Sequence, residues 1–162
     1  MSPAPDTQNA MLRHSVATLA YRAGKALRGA PPEFASFRAG PTTRTPLEIL
    51  SHLGDLFDWA LAMADGKHVW NPVAPDSWHS QIARFFAALE AFDRRLASGA
   101  PLGFPVGKVF QGPVADALTH VGQISMLRRM AGCPVRGENY FRAEIEVGRV
   151  GFDQAEPKVE FD

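Results

Sequence analysis

Apolar residues recur every three or four positions along four stretches of this chain, and Gly and Pro fall in clusters between those stretches. That spacing is the period of an α-helix with one buried face. The first stretch runs from about Thr7 to Arg28, where Leu12, Val16, Leu19, Ala23 and Leu27 make one stripe. Gly29-Ala30-Pro31-Pro32 stops it, because Pro cannot continue a helix. The second stretch opens on Thr45, Pro46 and Glu48, a capping box with Pro at the first helical position. Leu50, Leu53, Phe57, Ala60, Leu61 and Ala64 line one stripe, Ile49, His52, Leu56, Trp59 and Met63 line the next, and Gly66 ends the helix.

Asp76 or Ser77 caps a third helix to about Ser98, with Ile82, Phe85, Phe86, Leu89, Phe92 and Leu96 on its apolar face and Gly99-Ala100-Pro101 after it. Gly103 to Gly112 reads as loop, and Pro113 as the first residue of a fourth helix. Val114, Ala117, Leu118, Val121, Ile124, Leu127 and Met130 are its apolar positions, and Gly132-Cys133-Pro134 closes it. Four such helices predict an all-α four-helix bundle over 1–134. A C-terminal extension, 135–162, is expected to pack on it. Within the extension, Glu138 to Val147 is compatible with a short helix that turns Phe141 and Ile145 inward.

Composition narrows the class. The 162 residues are 46 % hydrophobic and 21 % charged, which suits one globular domain and argues against wholesale disorder. Basic and acidic side chains balance at 17 each. The basic pairs Arg94-Arg95 and Arg128-Arg129 read as solvated helix faces, so nothing supports nucleic-acid binding. Cys133 stands alone, so no intrachain disulfide forms, and its place at a helix C-terminus reads as structural. Met1 to Asp6 is polar, without the basic and apolar regions of a secretion signal, and no run is long and apolar enough to span a bilayer. A cytoplasmic protein, pairing into a homodimer through its helices, is the expectation.

There is no phosphate-binding Gly-rich loop, no Gly-x-Ser-x-Gly elbow and no dinucleotide fingerprint. The chemistry rests on three residues. His52 sits mid-helix on an apolar stripe, and Asp116 and His120 lie four apart on the fourth helix, about 6 Å along its axis and on one face. Two ligands one turn apart on one helix and a third from another helix make a facial triad for Zn, Ni, Fe or Mn, with positions left for water or substrate. Each residue also has a plain structural reading. Asp116 suits a first-turn position favoured by the helix dipole, and either His suits a hydrogen-bonded core position. Asp55 and Gln123 stand one turn from His52 and His120 as outer partners or as surface residues, with the surface the commoner case for Asp55. Trp59 and Met63 read as core, with the wall of a substrate cavity as their other reading. His79 reads as a solvent-facing first-turn residue, and His14 and His68 have no evident partner.

The stretch Thr45-Pro46-Leu47-Glu48-Ile49-Leu50-Ser51-His52-Leu53-Gly54-Asp55 resembles the second helix of DinB-like proteins. The stretch Ala117-Leu118-Thr119-His120-Val121-Gly122-Gln123-Ile124 resembles their last bundle helix. The resemblance covers about residues 7 to 133 and rests on short motifs. It implies a DinB-like four-helix bundle in which His52 and His120 are metal ligands. Asp116 stands where DinB-like proteins often carry His; related thiol-dependent isomerases resemble this chain in placing a carboxylate there. The functions so implied are metal-dependent thiol S-transfer, isomerisation or hydrolysis of a small molecule such as a thiol, with Zn or Ni the first choice of metal. The other reading is a non-catalytic bundle with a buried polar network or a structural metal, acting through a dimer or partner surface. A role on DNA would rest on the family's name alone, and the neutral charge opposes it.

Overall fold

A computed structural model describes residues 5–162; the sequence reading of the polar stretch before Pro5 lies outside them. The molecule is an all-α bundle with one two-stranded ribbon in its C-terminal extension. Helix α1 is Pro5–Leu27, α2 Pro46–Ala64, α3 Trp78–Ala97, α4 Val106–Val109 and α5 Ala115–Met130. A 3-10 turn, Pro32–Ser36, buries Phe34 between α1 and α2 in the chain.

The apolar stripes decide the packing. Helix α2 packs on α3 and on α5, and α1 packs on α3 and on α5, so α1 and α2 stand at opposite corners of the bundle. That diagonal is why the connection 28–45 is long. The core between the helices is built from Leu19, Leu27, Leu50, Leu53, Phe57, Phe85, Phe92 and Ile124, all enclosed. Phe57 meets Phe85 and Phe92 edge-on, with ring centroids 6.1 and 5.7 Å apart, an arrangement aromatic pairs prefer.

The expected start of α2 is present in full. The Thr45 hydroxyl accepts from the Glu48 amide at 3.2 Å, and the Glu48 carboxylate accepts from the Thr45 amide at 2.7 Å. Of the two candidate caps of α3, Ser77 accepts from the Ser80 amide at 3.2 Å. Asp76 supports it by accepting from the Ser77 amide and from the Ser80 and Gln81 side chains.

The stretch 103–112 departs from the loop expected of it. Helix begins at Val106, and Pro113 does not open α5 but lies inside a π-helical turn, Phe110–Val114, that joins α4 to α5. Pro113 has no N–H to donate, and in a regular helix its ring would strike the carbonyl four residues back. A wider turn accommodates both facts without ending the helix. The extra residue rotates α4 by about 100° relative to α5, given 3.6 residues per turn.

The extension also departs from expectation. Instead of a helix over 138–147, strand β1, Gly137–Glu138, pairs antiparallel with strand β2, Glu160–Phe161, and a 3-10 turn covers Tyr140–Arg142. Phe141 points to solvent at 94 % exposure, while Ile145, Val150 and Phe152 pack on the core. The ribbon is fastened to α1 by charge. Glu138 accepts from Tyr21 at 2.5 Å and from Lys25 at 2.9 Å, and Lys25 also bonds Glu160 at 2.8 Å.

Arg128 corrects the solvated-face reading of its pair. It is buried, and its guanidinium donates to the carbonyl oxygens of Ala26 (3.1 Å), Arg28 (2.7 Å) and Cys133 (2.8 Å). It thereby satisfies carbonyls at the ends of two helices that have no helical partner.

Candidate metal centre

Helix α2 carries His52 at its middle, and α5 carries Asp116 and His120 on successive turns; because α2 packs on α5, the three side chains converge. The Asp116 Oδ2 lies 3.4 Å from His52 Nε2 and 3.4 Å from His120 Nε2. One ligand atom from each residue falls within 4.8 Å of the others, so this group could hold a metal ion. The imidazoles meet edge to face, centroids 4.7 Å apart. His52 and His120 are largely covered, and Asp116 is open at 46 % side-chain exposure.

The donor set fits such an ion on two counts. Two imidazole nitrogens and one carboxylate oxygen suit a borderline divalent cation. The 3.4 Å spacing also matches the edge of a tetrahedron with bonds of 2.0–2.1 Å, about 3.3 Å. The three donors line a cavity of about 610 Å³ together with Arg44, Ile49, Gln123, Met126 and Leu127, so an ion held by them would be open to a small molecule in it.

Neighbouring groups set the state of the ligands. Gln123 Oε1 lies 2.8 Å from His120 Nδ1; it accepts that N–H and leaves Nε2 as the lone pair turned to the centre. Gln123 is therefore the outer partner that its spacing allowed. Burial lowers the pKa of His52, and its electrostatic interactions with His120 and Arg44 lower it further against the opposing pull of Asp116. The imidazole is thus favoured in its neutral, ligating form.

Asp55, read as a surface residue or as a partner of His52, is neither. It is buried, and it accepts from the Val73 amide at 3.0 Å and from Arg84 at 2.7 Å. Ser51 completes the clasp by donating to the Val73 carbonyl at 2.9 Å. Gly54 makes room for Arg84, since a Cβ there would come within 2.9 Å of the guanidinium. The clasp holds the connection 65–77 against α2 and brings Trp70 edge-on to His52 at 5.6 Å. Trp59 in turn meets Trp70 at 5.9 Å and His68 at 5.6 Å, so Trp59, packed against the edge of the core, also belongs to this half-buried wall, and His68 gains a partner. Met63 is core as expected, and His14 and His79 are exposed.

Arg44 and Trp70 escaped the sequence reading. Arg44 sits just before the Thr45 cap, eight residues and about 12 Å of helix rise from His52, and nothing in an isolated Arg before a cap marks it as a pocket residue. Trp70 reaches the site only through the Asp55 and Ser51 clasp.

The fold and the cluster together define a helical bundle able to hold a metal ion between two of its helices. Comparison with models of protein families, with curated proteins and with solved structures finds no match to this chain. No helix among the described residues is long and apolar enough to cross a membrane.

Proposed function

We propose that this chain is a metal-binding bundle of the DinB-like kind, in which His52, Asp116 and His120 hold a divalent transition metal at the wall of a small-molecule pocket. Zn and Ni suit the donor set best, with Fe and Mn also compatible. One observation carries the reading: donors from two separate helices converge within 4.8 Å on the wall of a cavity of about 610 Å³. Bound there, the metal would act as a Lewis acid that lowers the pKa of a water or thiol beside it.

The chain's own residues do the rest. His52, Asp116 and His120 are ligands rather than acid–base groups. Gln123 holds the His120 tautomer, and Ile49 and Leu127 give the pocket an apolar wall. Thiol S-transfer, isomerisation and hydrolysis of a small molecule are the reaction classes such a site serves. The resemblance of the His52 and His120 stretches to DinB-like helices favours the same classes.

A second reading has one observation in its favour. Asp116 already stands within ion-pair distance of both histidines, so the three side chains also make a self-sufficient polar network. The protein would then act without catalysis, through a dimer or a partner surface. The apolar groove of Met11, Leu12, Val106 and Phe110 between α1 and α4 is the face such a role would use.

Elemental mass spectrometry of tag-free protein purified without chelator separates the two. Near-stoichiometric metal that His52→Ala, Asp116→Ala and His120→Ala each remove supports the metal site and directs a screen of thiol-transfer and hydrolase substrates. Metal-free protein that also refuses added Zn, Ni and Mn overturns it.

A further inference from the structure

The wall of the same pocket carries a cation that nothing in the fold uses. Arg44 lines the cavity beside His52, Asp116 and His120, and among the described residues it makes no hydrogen bond and no ion pair. Arg13 pairs with Asp93, Arg84 with Asp55 and Asp58, Arg95 with Asp65, and Arg128 with backbone carbonyls. Among the described residues Arg129 and Arg142 are likewise without a side-chain partner, and what sets Arg44 apart is its place on the wall that carries His52, Asp116 and His120. Helix stability does not account for Arg44 either. It precedes the first turn of α2, the positive end of the helix dipole, where a cation is disfavoured. The acid nearest in sequence, Glu48, is committed to the Thr45 amide at 2.7 Å and to Arg38 at 3.5 Å.

The backbone that presents Arg44 is held on both sides. Before it, the Thr43 hydroxyl accepts from the Gly40 amide at 3.0 Å and donates to the Gly40 carbonyl at 2.9 Å, and Arg38 donates to the Thr43 carbonyl. After it comes the Thr45 capping box. The backbone is thus fixed, and the guanidinium it carries, left free by the fold, can bond an oxyanion through two parallel N–H groups. Ile49, Met126 and Leu127 supply an apolar surface next to it. The cavity volume is that of a small-molecule site.

We propose that Arg44 is the anion-recognition residue of this pocket, and that the molecule bound there carries a carboxylate or phosphate group on a compact apolar body. The proposal deepens the pocket reading above and rests on it, but it does not require that a metal be present. Arg44 holds the anionic end of the ligand, and the remainder lies along Ile49 and Leu127 toward the His52–Asp116–His120 cluster.

The test is an NMR shift titration of the full-length chain with benzoate, phenyl phosphate and the neutral analogue benzamide. It is run on metal-free and on Zn-treated protein, for the wild type, Arg44→Gln and Arg44→Lys. Arg44 is exposed, so neither substitution threatens the fold. Wild-type protein is expected to bind at least one anion about tenfold or more tightly than benzamide, the equivalent of one charge-assisted contact. Arg44→Gln should abolish that preference in the metal-free protein and reduce it in the Zn-treated protein, where the ion itself attracts anions, Arg44→Lys should keep part of it, and benzamide should bind all three alike. The preferred anion identifies carboxylate or phosphate as the natural group. An Arg44→Gln protein that keeps the wild-type preference overturns the proposal, as does a wild type that does not distinguish anion from amide. If the protein refuses Zn, the metal reading fails while the metal-free series still decides Arg44. If Zn is held and Arg44→Gln changes nothing, the Arg44 proposal fails alone.

Discussion

Replacing Glu138 by Ala tests whether the C-terminal extension is bound to the bundle by a buried charge. The Glu138 side chain has no exposed surface, accepts from Tyr21 at 2.5 Å, and pairs with Lys25 at 2.9 Å. The substitution leaves the Tyr21 hydroxyl, itself buried, without an acceptor, and leaves Lys25 with Glu160 alone. Removing one partner of a buried pair costs about 3–5 kcal/mol. The retained Glu160 contact places this case at the lower end, about 3 kcal/mol. At about 2.1 cal/mol/K per residue, 162 residues unfold with about 0.34 kcal/mol/K, so the midpoint should fall by about 9 °C. Scanning calorimetry at neutral pH reads this directly. Glu138→Gln keeps an acceptor for Tyr21 and should lose about half as much. Burial and Glu138 together hold the Tyr21 hydroxyl well above its ordinary pKa, so it remains a donor throughout that range. A fall of less than about 2 °C in Glu138→Ala would refute the reasoning, because the buried carboxylate would then be replaceable by solvent.

Zn at a hundredfold excess over its dissociation constant should stabilise the protein by about 2.7 kcal/mol, a rise of about 8 °C, and Asp116→Ala should not respond; equal rises in both proteins would remove Asp116 from the site. Gly103→Ala should destabilise by about 2 kcal/mol in a thermal melt, because its Cβ would lie 2.1 Å from the Gly66 backbone while the Gly103 amide is held to the Ala64 carbonyl at 2.9 Å; an unchanged melt would mean that the clasp between the end of α2 and the loop after α3 yields freely. Hydrogen bonds from Ser80, Gln81 and the Ser77 amide hold the Asp76 carboxyl well below its ordinary pKa. Its contribution is therefore complete above the usual carboxylate value and is lost progressively as pH falls from there through the lower folded value. Melting temperature should drop more steeply between about pH 5 and 2 in wild type than in Asp76→Asn, and parallel curves would count against the cap.

The site was legible where its chemistry travels with helical spacing. His52 on an apolar stripe and Asp116 four residues before His120 needed only the period of the helix to share a face, and the structure brings their ligand atoms together. Gln123 was legible in the same way. Arg44, Trp70 and Asp55 were not. Arg44 acts from outside the helix, Trp70 arrives on a loop whose course depends on Ser51 and Asp55, and the partner of Asp55 is Arg84 on α3. Sequence spacing carries no information on any of these three contacts.

Local chemistry within the sequence determined the elements: the Thr45-Pro46-Glu48 start of α2, the stripes of all the long helices, and glycines at φ 68, 77, 69 and 77 past their ends. These are interactions between neighbours in the chain, so the chain alone encodes them. Tertiary structure decided what depends on distant partners. It kept Pro113 inside a helix by widening one turn rather than ending it. It paired Gly137 with Phe161 where a short helix was equally compatible with the sequence, because Tyr21 and Lys25 of α1 supply the partners that Glu138 needs when buried. It also drew Arg128 inward to carbonyls that α1 leaves unpaired. In each case a buried polar group chose the conformation that satisfied it, and the satisfying atoms lie elsewhere in the chain.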